Sequence, residues 1–519
     1  MGSDAPSRPG PTDGPGGEPE RGADPSAARV VRNRHGRRRS RTLRVFAVVC
    51  LGAAAVLGAI GWAIGSADAS DPGDGDAPSP STPATPLLSA RRVPGFTTAR
   101  VPVRAMEQAV APVASAAPAQ SCIVVGDGSA ALYAHQGDTP VVPASNQKLL
   151  TAAAALELLG SDTRLATRFL AGGPLRDGVL QGDLYMVGGG DPLLTTEAYQ
   201  ERQRNGRFPA TDLEAVADQL VADGLRGVTG SVVGDGTRYD GQRSLPEWPR
   251  RWLTGGTVAP LSGLLVNDAW LIDPVTGEGD GGAAADPDLH AATVMQRLLS
   301  DRGVTIGGPP RSGGAPDGAE ELLVVDSLPV SELVGELLAF SDNTTGELLL
   351  KEIGLEASGE GSTTAGVAAV QGWAKRSGLD SEGWVMVDGS GLSSANRVSC
   401  SMLAELLRRD GPDGVLASSL AVPGQPGTLE ERLDRGDMSS RLRAKTGTLN
   451  DVAALSGWFR TVEDAQLDFE FIMNTGSRSV SSEDLELQTE LLAALLTQPV
   501  EVPLEQAGPL GGGRDDDGG

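Results

Sequence analysis

The sequence predicts an α/β fold of more than one domain, or one domain with large insertions, preceded by a single transmembrane helix. Three observations predict it. The chain is 519 residues long, 39% hydrophobic and 21% charged. That supports a sizeable core and excludes wholesale disorder, collagen and multi-span membrane classes. Residues 45–65 (VFAVVCLGAAAVLGAIGWAIG) run 21 residues without a charge. Beyond them, helical and strand patterns both occur within one continuous folded region.

Residues 1–44 form a disordered basic cytosolic tail, with ten Arg against five acids (net +5). The remainder carries 33 basic and 63 acidic residues (net −30), so the chain works in two compartments. The overall charge of −25 argues against nucleic acid as a partner. At about 1.5 Å per residue, the 45–65 run spans a ~30 Å hydrocarbon core. Eight Arg between Arg29 and Arg44 put the N-terminus in the cytoplasm and the C-terminal region outside, at the cell membrane. The alternative is a secreted protein, cleaved as a signal peptide near Ala67-Asp68-Ala69. Residues 66–95 are a Pro/Ser/Asp-rich linker and 501–519 a disordered tail, acidic from Gly508. Cys50 lies in the anchor. Cys122 and Cys400 are the two outside it, either disulfide-bonded in an oxidising space or two separate buried thiols.

Within the folded region, 141–160 (VVPASNQKLLTAAAALELLG) is an Ala/Leu-rich helix with Ser145 at its start and Gly160 as its stop. A capping box at Thr211-Asp212-Leu213-Glu214 opens a helix, and an apolar strand follows at 230–235. Residues 341–354 (SDNTTGELLLKEIG) make another helix, opened by Ser, Asp and Asn. Residues 443–461 and 467–474 are adjacent antiparallel strands, the second alternating apolar and charged over LDFEF. A helix at 483–498 closes the fold.

The chemistry comes from few residues. His135 and His290 are the histidines outside the tail; neither has metal-like spacing, and both read as surface residues. No HExxH, CxxC or GxSxG pattern occurs, which argues against a zinc site or a Ser-His-Asp triad. Arg appears 39 times and Lys four times, at Lys148, Lys351, Lys375 and Lys445. A retained Lys marks a place that needs deprotonation or a compact point charge. Lys148 follows Ser145 by three residues, on one helix face. Helix dipole and burial lower its pKa, so a neutral Lys148 can take the Ser145 proton. Alone, such an SxxK is a weak signal.

It is joined by Ser341-Asp342-Asn343, an SxN, and by Lys445-Thr446-Gly447-Thr448, a KTGT on a strand. A second SxN at Ser394-Ala395-Asn396 opens no helix and is read as a loop. The order SxxK, SxN, KTG is that of serine penicillin-binding enzymes. With GGGDPLL at 188–194 and DGSGLS at 388–393, the chain over roughly 95–500 resembles the D-alanyl-D-alanine carboxypeptidase/endopeptidase family. These are the class C low-molecular-mass penicillin-binding proteins.

The resemblance implies a penicillin-binding, serine β-lactamase-like catalytic domain. It would be split into 96–168 and 322–500 by an insertion at 169–321 that forms extra domains, in the 193-residue gap between Lys148 and Ser341. It implies that Ser145 is the acylated nucleophile and Lys148 its base, and that Ser341 and Asn343 relay a proton and hold the substrate amide. Lys445 and Thr446, in the strand turn with Gly447 and Thr448, would bind the terminal carboxylate; the N–H groups of Ser145 and Thr448 would form the oxyanion hole. The positive charge of Lys445 would help keep Lys148 neutral. The Asp388-Gly389-Ser390-Gly391 run reads as a supporting turn without a direct role. Substrates would be peptidoglycan stem peptides, β-lactams covalent inhibitors, and no metal or organic cofactor is implied. One departure stands out. After Trp248-Pro249, where some relatives carry acids that can meet the amino group of a diamino acid, this chain has Arg250-Arg251-Trp252. Two other readings remain: a catalytically inactive wall-binding module, which would stay dark to a fluorescent penicillin, and a β-lactamase, which would turn penicillin over.

Overall fold

The computed structural model describes residues 100–498 except 203–207, 280, 380–381 and 435. The basic tail, anchor and linker expected at 1–95, and the tail expected at 501–519, lie outside the described residues.

The sheet that carries the KTGT run has five antiparallel strands in the order Leu442–Leu449, Val452–Arg460, Gln466–Asn474, Gln120–Gly126, Ala131–His135. Period-2 side-chain placement gives each strand two faces, and both are covered. Phe469, Phe471, Leu455 and Ile123 meet Met106 and Val110 of the helix Arg100–Ala116, and Leu491 and Leu495 of the helix Ser482–Leu496. On the other face Cys122, Ala454, Trp458 and Ile472 pack on Leu149 and Leu150 of the helix Gln147–Leu158. Each such buried Leu or Phe contributes roughly 2 kcal/mol. Cys122 and Cys400 are disulfide-bonded, tying the fourth strand to the helix Cys400–Asp410.

A second five-stranded sheet is mixed, in the order Arg311–Ser312, Val232–Asp235, Leu184–Val187, Arg164–Ala171, Glu320–Pro329. Leu165, Thr167, Phe169 and Ala171 are its inward row. Helices Leu213–Ala222 and Pro287–Asp301 supply Leu213, Ala217, Met295 and Leu298 to the same core.

Several expectations shift. The span read as one strand at 443–461 is a hairpin turned at Asn450-Asp451, with Leu449 opposite Val452. Both arms are β-rich and apolar, so hydrophobicity alone hides a two-residue turn. The charged positions of LDFEF are buried: Asp468 is ion-paired to Arg408 at 2.6 Å, and both Glu470 carboxylate oxygens lack a hydrogen-bond partner among the described residues. The helix cap at 211–214 is Asp212, which accepts from Ala215 N, while Thr211 Oγ1 donates to Asp191 and Glu214 accepts from Glu197 N. His290 is not a surface residue. It is 6% exposed on the inner face of its helix, and burial lowers its pKa to about 4.

Candidate active site

Three segments bring the sequence-predicted residues together. Ser145 sits in the 3-10 turn Ala144–Asn146, which leads into the helix Gln147–Leu158 rather than lying inside it. The turn is held from behind by Asn146 Nδ2, which donates to Ser456 Oγ at 2.6 Å on the central sheet. Lys148, fully buried, places Nζ 3.0 Å from Ser145 Oγ, 2.7 Å from Asn343 Oδ1 and 2.7 Å from the Ser390 carbonyl oxygen.

Asn343 begins the helix Asn343–Ser358, and the cap is its neighbour Asp342, whose carboxylate accepts from Thr345 N at 2.6 Å. That leaves the Asn343 amide free to bridge, with Oδ1 accepting from Lys148 and Nδ2 donating to the Thr257 carbonyl at 2.7 Å. Ser341, one residue before the cap, has φ +62°, a left-handed conformation costly for a residue with a side chain. It is half-buried and makes no hydrogen bond to Ser145, Lys148 or Lys445 among the described residues.

The KTGT run lies on Leu442–Leu449, the edge strand of the first five-stranded sheet. Ala444 N donates outward to Ala421 O, so by alternation the N–H groups of Thr446 and Thr448 also point off the sheet edge. Lys445 shares the opposite register, on the face where Ser456 and then Glu470 stand beside it. Its Nζ donates to Thr446 O at 2.8 Å. A Cβ on Gly447 would stand 3.1 Å from Pro143 O and 3.2 Å from Ser145 N, so the strand runs directly against the turn that carries Ser145.

The turn at 388–391 touches Lys148 itself. Glu347 Oε1 accepts from Gly389 N and Ser390 N at 3.0 and 2.8 Å, and the Ser390 carbonyl is thereby aimed at Lys148. Asp388 accepts from Gly391 N, Ser393 N and Asn396 Nδ2, so the SxN read as a loop is part of this brace. Gly391 has φ +83°, and a Cβ there would collide with the Ala144 carbonyl.

Burial lowers the Lys148 pKa to about 8, against the opposing pull of Asp342, Asp388, Glu347 and Glu336. Burial also lowers Lys445 well below the usual lysine range, with the charge of Lys148 adding to it. The expected influence of one lysine on the other thus acts chiefly on Lys445, and burial is what tunes Lys148. Glu347 is raised to about 8 by burial and then by Asp388.

Ser145, Asn343 and Thr448 open onto a cleft of about 790 Å³, whose far wall carries Trp248, Arg251 and Trp252. Arg251 and Trp252 belong to the short helix Arg250–Thr254, and Glu247 and Asp451 also line the cleft. Sequence reasoning missed the Ser390 and Thr257 carbonyls and the Glu347 carboxylate. A backbone carbonyl leaves no side-chain signature, but the Asp-Gly-Ser-Gly run was a visible signal of an imposed turn.

Residues 107–284 and 275–496 match the D-Ala-D-Ala carboxypeptidase 3 (S13) family. A D-alanyl-D-alanine carboxypeptidase of Actinomadura sp. (strain R39) is 30% identical over 419 residues, covering 66% of this chain and 75% of that protein. A carboxypeptidase of Mycobacterium tuberculosis is 31% identical over 414 residues, covering 77% and 86%. Among solved structures, penicillin binding protein 4 of Haemophilus influenzae superposes with a TM-score of 0.63 at 19% identity, over 75% of this chain and 99% of that one. The same protein complexed with a novel β-lactam gives 0.56 at 20% identity, with the same coverage.

Proposed function

From the premise that this chain belongs to the D-Ala-D-Ala carboxypeptidase 3 (S13) family, we infer how its residues divide the work of a serine-type D-Ala-D-Ala carboxypeptidase. The substrate is the peptidoglycan stem peptide, and penicillins acylate the same serine. Ser145 Oγ attacks the penultimate D-Ala carbonyl, and Lys148 takes the hydroxyl proton. The C–N bond breaks, D-Ala leaves as the amine with that proton relayed through Ser341, and water then hydrolyses the ester. Asn343 holds the substrate amide, and Lys445 and Thr446 hold the terminal carboxylate, which would displace the Thr446 carbonyl from Lys445 Nζ. Ser145 N–H and the outward-pointing Thr448 N–H receive the oxyanion; each such donor is worth about 3 kcal/mol.

The observation that carries this division is the surroundings of Lys148 Nζ. Asn343 Oδ1 and the Ser390 carbonyl can only accept, so they occupy two N–H groups of a neutral amine and leave its lone pair for the Ser145 hydroxyl. Muropeptide mass spectrometry tests it: the chain should convert pentapeptides to tetrapeptides with loss of D-Ala, and Ser145→Ala should not. A persistent penicillin adduct on Ser145 is expected; fast penicillin turnover would instead make the protein a β-lactamase, and no adduct an inactive wall-binding module.

The domain division at 96–168, 169–321 and 322–500 belongs to the same reading. It is supported by the second sheet, whose strands fall between Arg164 and Pro329. The location we propose is the outer face of the cell membrane, held by the 45–65 run behind its arginines.

A further inference from the structure

Asn267, Asp268 and Ala269 have φ of +53°, +50° and +54°, and no other three consecutive non-glycine residues are left-handed among the described residues. Asn and Asp enter that region more readily than alanine, and strain of this kind persists only where the surroundings hold it. Here they do. Leu264 and Val266 pack in the core of the second sheet, while Leu265 and Ala269 share a core with Leu348 of the helix Asn343–Ser358. Asn267 Oδ1 accepts from Thr196 N at 2.8 Å, and its Nδ2 donates to Thr196 Oγ1 at 3.0 Å.

The turn brings the Asp268 carboxyl to the first turn of the helix that carries Asn343. Tyr199 OH donates to Asp268 Oδ2 at 2.5 Å, and the Thr344 hydroxyl bonds the same carboxyl. Thr344 Oγ1 also accepts from Ala259 N at 3.0 Å. A hydroxyl has one proton, so giving it to Asp268 turns a lone pair towards Ala259. Two residues before Ala259, the Thr257 carbonyl accepts from Asn343 Nδ2 at 2.7 Å. That bond decides which end of the Asn343 amide faces Lys148, whose Nζ meets Oδ1 at 2.7 Å.

We propose that Asp268 is a positioning residue for acylation: it fixes the Thr344 hydroxyl and, through Ala259 and Thr257, the orientation of the Asn343 amide against Lys148. The inference rests on the peptidase reading above, in which Lys148 takes the Ser145 proton. If the amide turned over, Nδ2 would face Lys148 and claim the lone pair that the Ser145 hydroxyl needs. The loss should therefore fall on the acylation step. Burial raises the Asp268 carboxyl to about 7, with the charge of Asp342 adding to it, so below that pH the neutral amide of asparagine is its closest match.

The test follows acylation of the full chain by benzylpenicillin at pH 6.5, resolving the binding constant from the rate constant at saturation. Asp268→Ala and Thr344→Val should each cut the rate constant at least tenfold, with the binding constant changed less than threefold. The double variant should be no more than twofold slower than the worse single one, since both act through one contact. Asp268→Asn should stay within threefold of the unaltered chain. A rate within twofold of the unaltered chain in Asp268→Ala or Thr344→Val would overturn the proposal. So would multiplied losses in the double variant, a loss carried by the binding constant, or a tenfold loss in Asp268→Asn. If Asp268→Ala does not fold, Thr344→Val, which leaves the helix cap Asp342 in place, decides alone. An unaltered chain that penicillin never acylates would overturn the peptidase reading, and the positioning role with it.

Discussion

Three oxygen atoms converge on Lys148 Nζ, and only the Ser145 hydroxyl can also donate. A guanidinium in that fully buried space can neither fit the three partners nor lose its proton. Lys148→Arg should therefore slow acylation by a fluorescent penicillin by at least ~10³-fold, within the span of a general base. Lys445→Arg should cost far less, because a guanidinium still binds a carboxylate; equal losses in the two variants would reverse the roles assigned to them. The pH dependence has a definite sign. With the Lys148 pKa lowered to about 8, acylation should fall about tenfold per unit below that pH and rise towards it as the amine becomes neutral. Lys445 is lowered by burial as well, and rising pH should raise KM as it loses the charge that holds the carboxylate. A profile flat from pH 6 to 9 would exclude Lys148 as the base. The scarcity of lysine was an informative guide to burial: Lys148, Lys351 and Lys445 are all fully buried. It was a poorer guide to chemistry, because Lys351 is ion-paired to Asp240 away from the nucleophile.

The edge strand Leu442–Leu449 and the nucleophile turn approach so closely that Gly447 has no room for a side chain without a shift of a few tenths of an ångström. Gly447→Ala should move the Thr448 N–H off the oxyanion and slow acylation tenfold or more, while lowering Tm by only a few degrees. A large Tm loss with normal acylation would show that the glycine serves packing alone. The short helix Arg250–Thr254 sets the opposite wall of the cleft. Only Arg251 of the arginine pair lines it, and it does so together with the acids Glu247 and Asp451, which the sequence did not place there. Arg251→Glu should raise kcat/KM for a stem peptide ending in an ammonium at its third residue by up to about fivefold, as expected of exposed charges worth below ~1 kcal/mol. A matched peptide with a neutral end is the control, and an equal gain on both would remove charge as the cause. The strand-turn-strand at 442–460 was misread as one strand because the second arm is buried on both faces and the first is so over Ala444–Gly447, so neither shows a regular alternation. Motif residues were legible because side-chain chemistry demands them. The brace at 388–396 was legible only as a turn, since its contact with Lys148 is made by backbone.

The whole chain joins a cytosolic basic segment to an external enzyme in the proposed topology. Protease added to intact protoplasts should digest the region beyond Ala67 and spare the N-terminal tail. A mature protein found soluble and beginning near Ser70 would sink the anchor. Cys122 and Cys400, which the sequence left as two possibilities, form a disulfide across 278 residues, worth about 5–6 kcal/mol in a chain-entropy account. The catalytic sheet also imposes an order in time. Gln120 pairs with Asn474, so the strand made first waits for the strand made almost last. The second sheet and its helices lie wholly between them in sequence and can close as soon as Pro329 has emerged. A chain made from its N-terminus onward must therefore carry its unpaired strand Gln120–Gly126, apolar on both faces, through most of synthesis. Long-range pairing of this kind folds slowly and exposes an edge to other chains meanwhile. The interval between the making of residue 126 and of residue 474 is when this protein is most open to aggregation, and when a chaperone would have the most to hold; in the proposed topology that chaperone would work outside the membrane.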